Sequence, residues 1–261
     1  GHPLVGFCLA PHAPYTVADA SFRRILTLSE QMHLPIHCHI HETHQEVEES
    51  RVQHGVAPLA RLDQLGLLGP GFIGVHGIYL DDDELARLAA TGCSITHCPT
   101  SNLKLASGIA PVARMRQLGI NVGLGTDGAA SNNRLDMFGE MRLAALLAKG
   151  SSGDASALPA REVLRMATIN GATALGIGDE TGSIAPGKAA DLVAVSLRGL
   201  HTRPCYDPVS HLVHAADREC VTHVWVAGKC CVDHKTLVQG SQNDLESAIA
   251  LWQNRLEVRR E

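Results

Sequence analysis

The 261 residues carry a formal charge of −5, with 45% apolar side chains, 19% charged side chains and a mean hydropathy of +0.03. That balance describes a globular chain with a substantial core and excludes a disordered one; no apolar run reaches the roughly 18 residues of a membrane span. Basic clusters are lacking, and only Trp225, Trp252 and a few Phe and Tyr could stack on bases, so a nucleic-acid polymer is not an expected partner. Eight irregularly spaced cysteines without a CxxC pair predict reduced thiols in a cytoplasmic protein.

In chain order, short apolar runs alternate with amphipathic stretches, the pattern of a parallel sheet with crossover helices. Residues 4–10 predict a first strand, after which Thr16 and Asp19 read as the capping box of a helix over 17–33. A second strand over 35–39 leads into a helix from residue 45. The third strand, 72–76, precedes a helix that Asp81, Asp82 and Asp83 open with negative charge at its positive end. Strands over 93–97 and 121–125 complete five, with a short helix over 111–118 entered through Pro111. Helices follow over 135–149 and 160–175. The texture then changes: the Pro186-Gly187 turn precedes an apolar run, and 220–232 alternates around Gly228, both marks of antiparallel structure.

Five β/α units are fewer than the eight of a closed TIM-type barrel. The expected fold class is therefore α/β: the C-terminal part of a (β/α)8 barrel over 1–180, a small β-sandwich-like region over 181–240 and a C-terminal helix over 241–261. A flavodoxin-like open sheet competes, but no Gly-rich phosphate loop follows the first strand.

Each predicted strand ends on a titratable group: His12 after the first, His39 and Glu42 at the second, then His76, His97 and Asp127. In a (β/α) barrel the carboxyl ends of the strands form the active-site face. Taken singly, Glu42 reads as a carboxylate at a helix N-terminus, Asp127 before Gly128 as turn chemistry, and a lone histidine as loop packing. Their joint occurrence at successive strand ends favours catalysis over those roles. Imidazole and carboxylate hold zinc and similar ions, which makes His39 and Asp127 candidate ligands. Glu42 is a candidate proton carrier and His76 a candidate hydrogen-bond partner of the attacking water. His37 and His41 alternate with His39, and spacing alone leaves all three open.

Longer stretches are more specific. Ala10-Pro-His-Ala-Pro-Tyr15, His39-Ile-His-Glu-Thr43, His97-Cys-Pro-Thr-Ser-Asn-Leu-Lys-Leu105, Gly108-Ile-Ala-Pro111 and Gly125-Thr-Asp-Gly-Ala-Ala-Ser-Asn132 together resemble the amidohydrolase superfamily. Within it they resemble the 5-methylthioadenosine/S-adenosylhomocysteine deaminases. Gly182-Ser-Ile-Ala-Pro-Gly-Lys-Ala-Ala-Asp-Leu192 looks like that superfamily's return to its small β domain.

The resemblance implies one divalent metal, Zn2+ ahead of Fe2+ or Mn2+, with His39 and Asp127 as ligands; His39 is chosen over its neighbours because it lies three residues before Glu42. It makes Glu42 the proton shuttle and a substrate contact, His76 the residue that assists the water, and His12, His97 and Asp127 substrate-binding residues. The implied reaction is hydrolytic deamination of a small-molecule nucleoside, an adenosine derivative, in a homo-oligomer without membrane partners. Water adds at C6 of the ring, Glu42 protonates N1, Asp127 takes the proton of the water, and ammonia leaves.

Alternatives are another ring hydrolase of the superfamily, such as a guanine or 8-oxoguanine deaminase or a triazine chlorohydrolase, and a metal-free, non-catalytic relative. The family's other two metal histidines form a His-x-His pair on the first barrel strand, and Gly1-His2-Pro3 is not that pair. The expectation is a chain that belongs with a missing N-terminal segment carrying those ligands, and that alone binds metal weakly and is inactive.

Overall fold

Apolar runs and helical stretches alternate in the folded chain, seen in a computed structural model that describes residue 2 and residues 4–257. The order is α1 (Asp19–Met32), β1 (Ile36–Ile40), α2 (His44–His54), α3 (Pro58–Gln64), β2 (Phe72–His76), α4 (Asp82–Thr91), β3 (Ser94–His97), α5 (Pro99–Lys104), α6 (Val112–Gln117) and β4 (Asn121–Leu124). Then come α7 (Met137–Ser152), α8 (Ala160–Met166), α9 (Ile169–Ala174), β5 (Leu192–Val195), α10 (Pro208–His214), β6 (Val221–Val226), β7 (Lys229–Asp233), β8 (Thr236–Leu237) and α11 (Gln242–Glu257).

Strands β1 to β4 lie side by side in chain order, all parallel. The expected first strand over 4–10 shrinks to a single parallel bridge between Leu9 and Ile36. Pairing with β1 continues beyond it, since the His37 N–H donates to the Leu9 carbonyl (2.8 Å) and the His39 N–H to that of His12 (3.1 Å). Leu4, Val5 and Phe7 are exposed and find no ladder partner among the described residues, so only 9–12 hold a strand position.

The register sorts the sheet into two faces. Ile36, Cys38 and Ile40 of β1 share one face with Phe72, Ile95 and Val122, packed against Phe22 of α1, Leu59 and Leu62 of α3, Leu88 of α4 and Met115 of α6. Each large side chain buried there contributes about 1.5–3 kcal/mol. Gly74 is required in this layer, because a Cβ on it would lie 2.5 Å from the Ile40 Cδ1 atom. On the opposite face the half-buried His37 and His39 are in register with Ile73 and Val75, Ser94 and Thr96, and Asn121 and Gly123. One layer of the sheet is thus oily and the other largely polar.

Helix entry follows the acidic pattern at α4, where the Asp81 carboxylate accepts the Glu84 N–H (2.9 Å) and Glu84 accepts the Asp81 N–H (3.0 Å). It does not at α1. The N-cap there is Ala18, and the expected Thr16–Asp19 box is absent because both side chains are engaged elsewhere. The Thr16 hydroxyl bonds the Ala13 carbonyl and His12 Nδ1, while the Asp19 carboxylate accepts two hydrogen bonds from Arg61 (2.8 and 2.6 Å). The helix expected over 160–175 is broken into α8 and α9 at Thr168, whose φ and ψ of −133° and −100° are not helical.

Strands β5 to β8 form a second, antiparallel sheet. Between β5 and β6 the chain returns to the barrel helices: Val213 of α10 joins their core, and Arg142 of α7 donates to the Ala216 carbonyl at 2.6 Å. Among the described residues no helix is long and apolar enough to cross a membrane.

Candidate active site

The polar face of the sheet ends in a rim where strand-end residues meet. His39, near the end of β1, has its ring centroid 5.3 Å from that of His12 and 5.4 Å from that of His76, the latter stacked at 23°. The Nδ1–H of His39 donates to the His12 carbonyl at 2.6 Å, which leaves Nε2 with its lone pair free. This is the tautomer of a metal-ligating histidine held by a backbone carbonyl.

His76, at the end of β2, has a φ of 74° and is buried. Its Nδ1–H donates to Asn102 Oδ1 at 2.8 Å, and its Nε2 lies 3.7 Å from Glu42 Oε2. The other Glu42 oxygen accepts the Ser107 hydroxyl at 3.3 Å.

Glu42 is placed through its backbone. Buried Glu46 accepts the His41 N–H on Oε1 (2.9 Å) and the Glu42 N–H on Oε2 (3.0 Å), while Thr43 caps α2 by accepting the Glu46 N–H. Burial pushes the Glu46 carboxyl above the ordinary glutamate range, against the pull of these hydrogen bonds.

Asp127 follows β4 with a φ of 59°. Its Oδ2 accepts the hydroxyls of Ser101 (2.6 Å) and Ser131 (2.9 Å), and Oδ1 accepts the Gly128 N–H (2.7 Å). Burial acts to raise this carboxyl, but the hydrogen bonds from Ser101, Gly128 and Ser131 outweigh it, so Asp127 sits below the usual range and stays ionised.

The three histidines left open by spacing separate here. His41 has left the strand at a φ of 51° and is wholly buried, with Nδ1–H donated to the Tyr79 carbonyl (2.9 Å) and Nε2 accepting the Leu59 N–H (3.0 Å). It is a satisfied core residue. Glu84 Oε1 approaches the same Nε2 at 3.3 Å, yet the contact is not an ion pair, because burial keeps His41 neutral and lifts Glu84 to about 7. The Nε2 lone pair is already taken by the Leu59 N–H, so Glu84 Oε1 is left without a hydrogen-bond partner. His37 shares the His39 face at a ring separation of 6.2 Å, and burial, with His39 beside it, keeps it neutral.

His12 is exposed beside His39, its Nδ1 on the Thr16 hydroxyl at 2.8 Å. His97 ends β3 deeply buried; burial, with some help from nearby His76, lowers it to about 3, and its Nδ1 has no hydrogen-bond partner. The rim thus brings His12, His39, His76 and Glu42 into a chain of contacts, with Asp127 and His97 within electrostatic reach of His76.

Sequence reasoning missed Glu46, Ser101, Asn102, Ser107 and Ser131 as supports of this rim. Ser101, Asn102 and Ser131 lie inside the 97–105 and 125–132 stretches that carry the resemblance, the first of which is expected to line the pocket, and Glu46 carried the Thr43-x-x-Glu46 spacing of a helix start.

Among the described residues the sets of three donors within 4.8 Å of one another lie elsewhere, at His201, Asp217 and Cys220 and at His223, Asp233 and His234. The expected ligands His39 and Asp127 are not part of any such three-donor set: the His39 Nδ1 is on the His12 carbonyl and both Asp127 oxygens accept hydrogen bonds from Ser101, Ser131 and Gly128.

The sequence profile of the amidohydrolase family matches residues 2–231. The chain belongs to that family. Its parallel strands are an arc of the family's TIM-type barrel, with the active-site rim at their carboxyl ends. The amidohydrolase chain is 45% identical over 259 residues to the 5-methylthioadenosine/S-adenosylhomocysteine deaminase of Teredinibacter turnerae, a match covering 99% of this chain and 59% of that protein. It superposes on an adenosine deaminase of Xanthomonas campestris, solved with bound zinc, with a TM-score of 0.97 and 48% identity over 98% of this chain and 58% of that one. It also resembles a mutant atrazine chlorohydrolase of Arthrobacter aurescens, solved with zinc and atraton, with a TM-score of 0.89 and 26% identity over 94% of this chain and 54% of that one. The amidohydrolase chain thus spans somewhat over half the length of the relatives it matches.

Proposed function

We propose that this chain carries the proton-transfer half of a metal-dependent aminohydrolase that deaminates an adenosine derivative, of the 5-methylthioadenosine or S-adenosylhomocysteine type, to the inosine-type product and ammonia. The observation that carries the reading is the contact series His39–His76–Glu42, with an ionised Asp127 within electrostatic reach of His76. The free Nε2 of His39 and the Asp127 carboxylate fit a divalent cation as two of its ligands, Zn2+ ahead of Fe2+ or Mn2+. Bound there, the metal would supply the Lewis acidity that makes water a nucleophile at neutral pH.

The remaining chemistry belongs to side chains. In this reading Glu42, half-buried beside Ser107 and His76, gives a proton to ring N1, so that C6 becomes electrophilic as water adds. Asp127 is ionised and able to take the proton of that water. His76, its Nδ1–H committed to Asn102, presents Nε2 to the same space and steadies the oxygen. When the C–N bond breaks, the proton on Asp127 leaves with ammonia, and the C6 hydroxyl proton returns to Glu42 as the carbonyl of the product forms. His12 and the unpartnered Nδ1 of buried His97 supply substrate hydrogen bonds in this reading.

The likeness to a deaminase at 45% identity and to a chlorohydrolase at 26% favours amine over chloride as the leaving group. The cytoplasm suits a chain whose eight cysteines are all free. A homo-oligomer is part of the same reading: Leu245, Ile249, Trp252 and Leu256 form an exposed stripe along α11. The test is ammonia release from 5-methylthioadenosine by the metal-loaded full-length protein, with the N-terminal segment that would carry the His-x-His pair. Release that falls about 100-fold or more in Glu42→Gln supports the proposal, on the usual size of general acid–base effects; equal rates in the two proteins, or no metal bound, refute it.

A further inference from the structure

Beyond the rim, the connection between β5 and β6 carries a second donor set, formed by two 3-10 turns on either side of α10. His201 lies in the first turn, Leu200–Thr202, and Cys220 closes the second, Arg218–Cys220, of which Asp217 is the N-cap. Cys220 Sγ stands 3.4 Å from His201 Nε2 and 3.5 Å from Asp217 Oδ1, and one donor atom from each residue falls within 4.8 Å of the other two. In a tetrahedral zinc site with Zn–S of about 2.3 Å and Zn–N or Zn–O of about 2.0 Å, neighbouring donors are about 3.3–3.6 Å apart. Both measured edges match that figure.

A hydrogen-bonded triad is the competing account of the same atoms: His201 in its Nε2–H form would donate to Sγ while the Cys220 S–H donates to Asp217 Oδ1, and metal binding must displace both protons. The cluster at His223, Asp233 and His234 is different: both imidazoles lie on one Asp233 oxygen, at 3.1 and 2.7 Å, the lengths of ordinary hydrogen bonds.

Cys220 is buried and its backbone is fixed on both sides, its carbonyl accepting the Ser196 N–H at 2.8 Å and its N–H donating to the Asp217 carbonyl at 3.0 Å. His201 is exposed and leaves one side open. Its ring lies where a side chain on residue 199 would be, since a Cβ on Gly199 would come within 2.8 Å of it. The approach is therefore preset by the backbone.

We infer that His201, Asp217 and Cys220 form a second divalent-metal site, of Cys-His-Asp type with its fourth position open to water, that clips the α10 excursion to the small sheet. Binding replaces the Cys220 thiol proton, released to solvent, by a metal–sulfur bond. A thiolate, an imidazole and a carboxylate suit zinc or cobalt and not the all-oxygen preference of calcium or magnesium.

The experiment is titration of the reduced full chain with Co2+, followed by the near-ultraviolet thiolate-to-cobalt charge-transfer band. The rim donors include no sulfur, so the band reports this site and not the one proposed for the reaction. Expected is a saturable band of one equivalent that persists in His39→Ala, disappears in Cys220→Ser and weakens at least tenfold in affinity in His201→Gln, an exposed change that spares the core. Zn2+ should abolish the band by competition and raise the thermal midpoint of the wild type more than that of His201→Gln. No saturable band in the wild type, or a band unchanged in both Cys220→Ser and His201→Gln, overturns the inference.

Discussion

Glu46→Gln separates positioning from packing at this site. The Glu46 carboxylate takes the N–H of His41 on one oxygen and that of Glu42 on the other. Glutamine keeps a single acceptor, so its NH2 must face one of these buried donors. Leaving such a donor unsatisfied costs about 1–3 kcal/mol. Part of that is offset, because burial already raises the Glu46 carboxyl and removing its charge relieves the desolvation. The net is expected near the lower end, about 1 kcal/mol, or a fall in Tm of about 2–4 °C for a domain of this size. The effect on catalysis is larger, because Glu42 is held through the same N–H and a displacement of about 1 Å can cost about 100-fold in rate. Calorimetry and ammonia release on the metal-loaded full-length protein would measure both; kcat should fall with little change in KM. An unchanged kcat beside a lower Tm would make Glu46 a purely structural cap, and a raised Tm would show that desolvation outweighs the hydrogen bonds.

Two further outcomes follow from hydrogen-bond geometry. Because burial lifts Glu84 to about 7, above its unfolded value, the protonated form is favoured by folding, and its contribution to stability is full below the unfolded value of about 4.3 and lost as pH rises through about 7. In Glu84→Gln the amide keeps the acceptor for the Asp81 N–H and does not titrate, so denaturant titrations between pH 4 and 8, limits set at about those two values, should show a flatter pH dependence than the wild type; an identical profile would refute the raised Glu84 carboxyl. Asn102→Ala frees His76 Nδ1, and kcat should drop by up to about 100-fold while the 15N shifts of the His76 ring change from the Nδ1–H form to a mixture; a ring still fixed in that form would show that Asn102 does not set the tautomer.

Much of the parallel sheet was legible because its four strands are short, largely apolar runs with polar residues at or just beyond their ends, and local pattern suffices for those. The strand over 4–10 was not, since a strand also needs neighbours, and Leu4 to Phe7 have none among the described residues. Setting His41 apart from His37 and His39 was beyond periodicity because the difference lies in one dihedral: His41 leaves the extended conformation and turns into the core. The Thr43–Glu46 spacing was readable as a helix start, but in the fold the carboxylate reaches past the cap to His41 and Glu42. His201, Asp217 and Cys220 were illegible for a different reason, as a whole helix separates the first donor from the other two.

The rim also concentrates backbone strain. His41, His76 and Asp127 have φ values of 51°, 74° and 59°, and conformations this sparsely populated cost of order 1–3 kcal/mol for a poorly suited side chain. Each is held by bonds that also aim the side chain: His41 by Glu46 and Tyr79, His76 by Asn102, Asp127 by Ser101, Gly128 and Ser131. Asparagine tolerates the left-handed region about as well as aspartate, whereas a β-branched residue does not. Asp127→Asn should therefore keep a Tm close to the wild type while losing bound metal and activity, because the ionised carboxylate is gone and the backbone is not disturbed. Asp127→Val should lose stability as well, by about 1–3 kcal/mol. Metal content after dialysis and Tm measured on both variants separate charge from conformation at this position. Equal Tm losses in Asn and Val would show that the hydrogen bonds of the carboxylate, and not the dihedral, carry the stability, and full metal retention in Asp127→Asn would remove Asp127 from the ligand set.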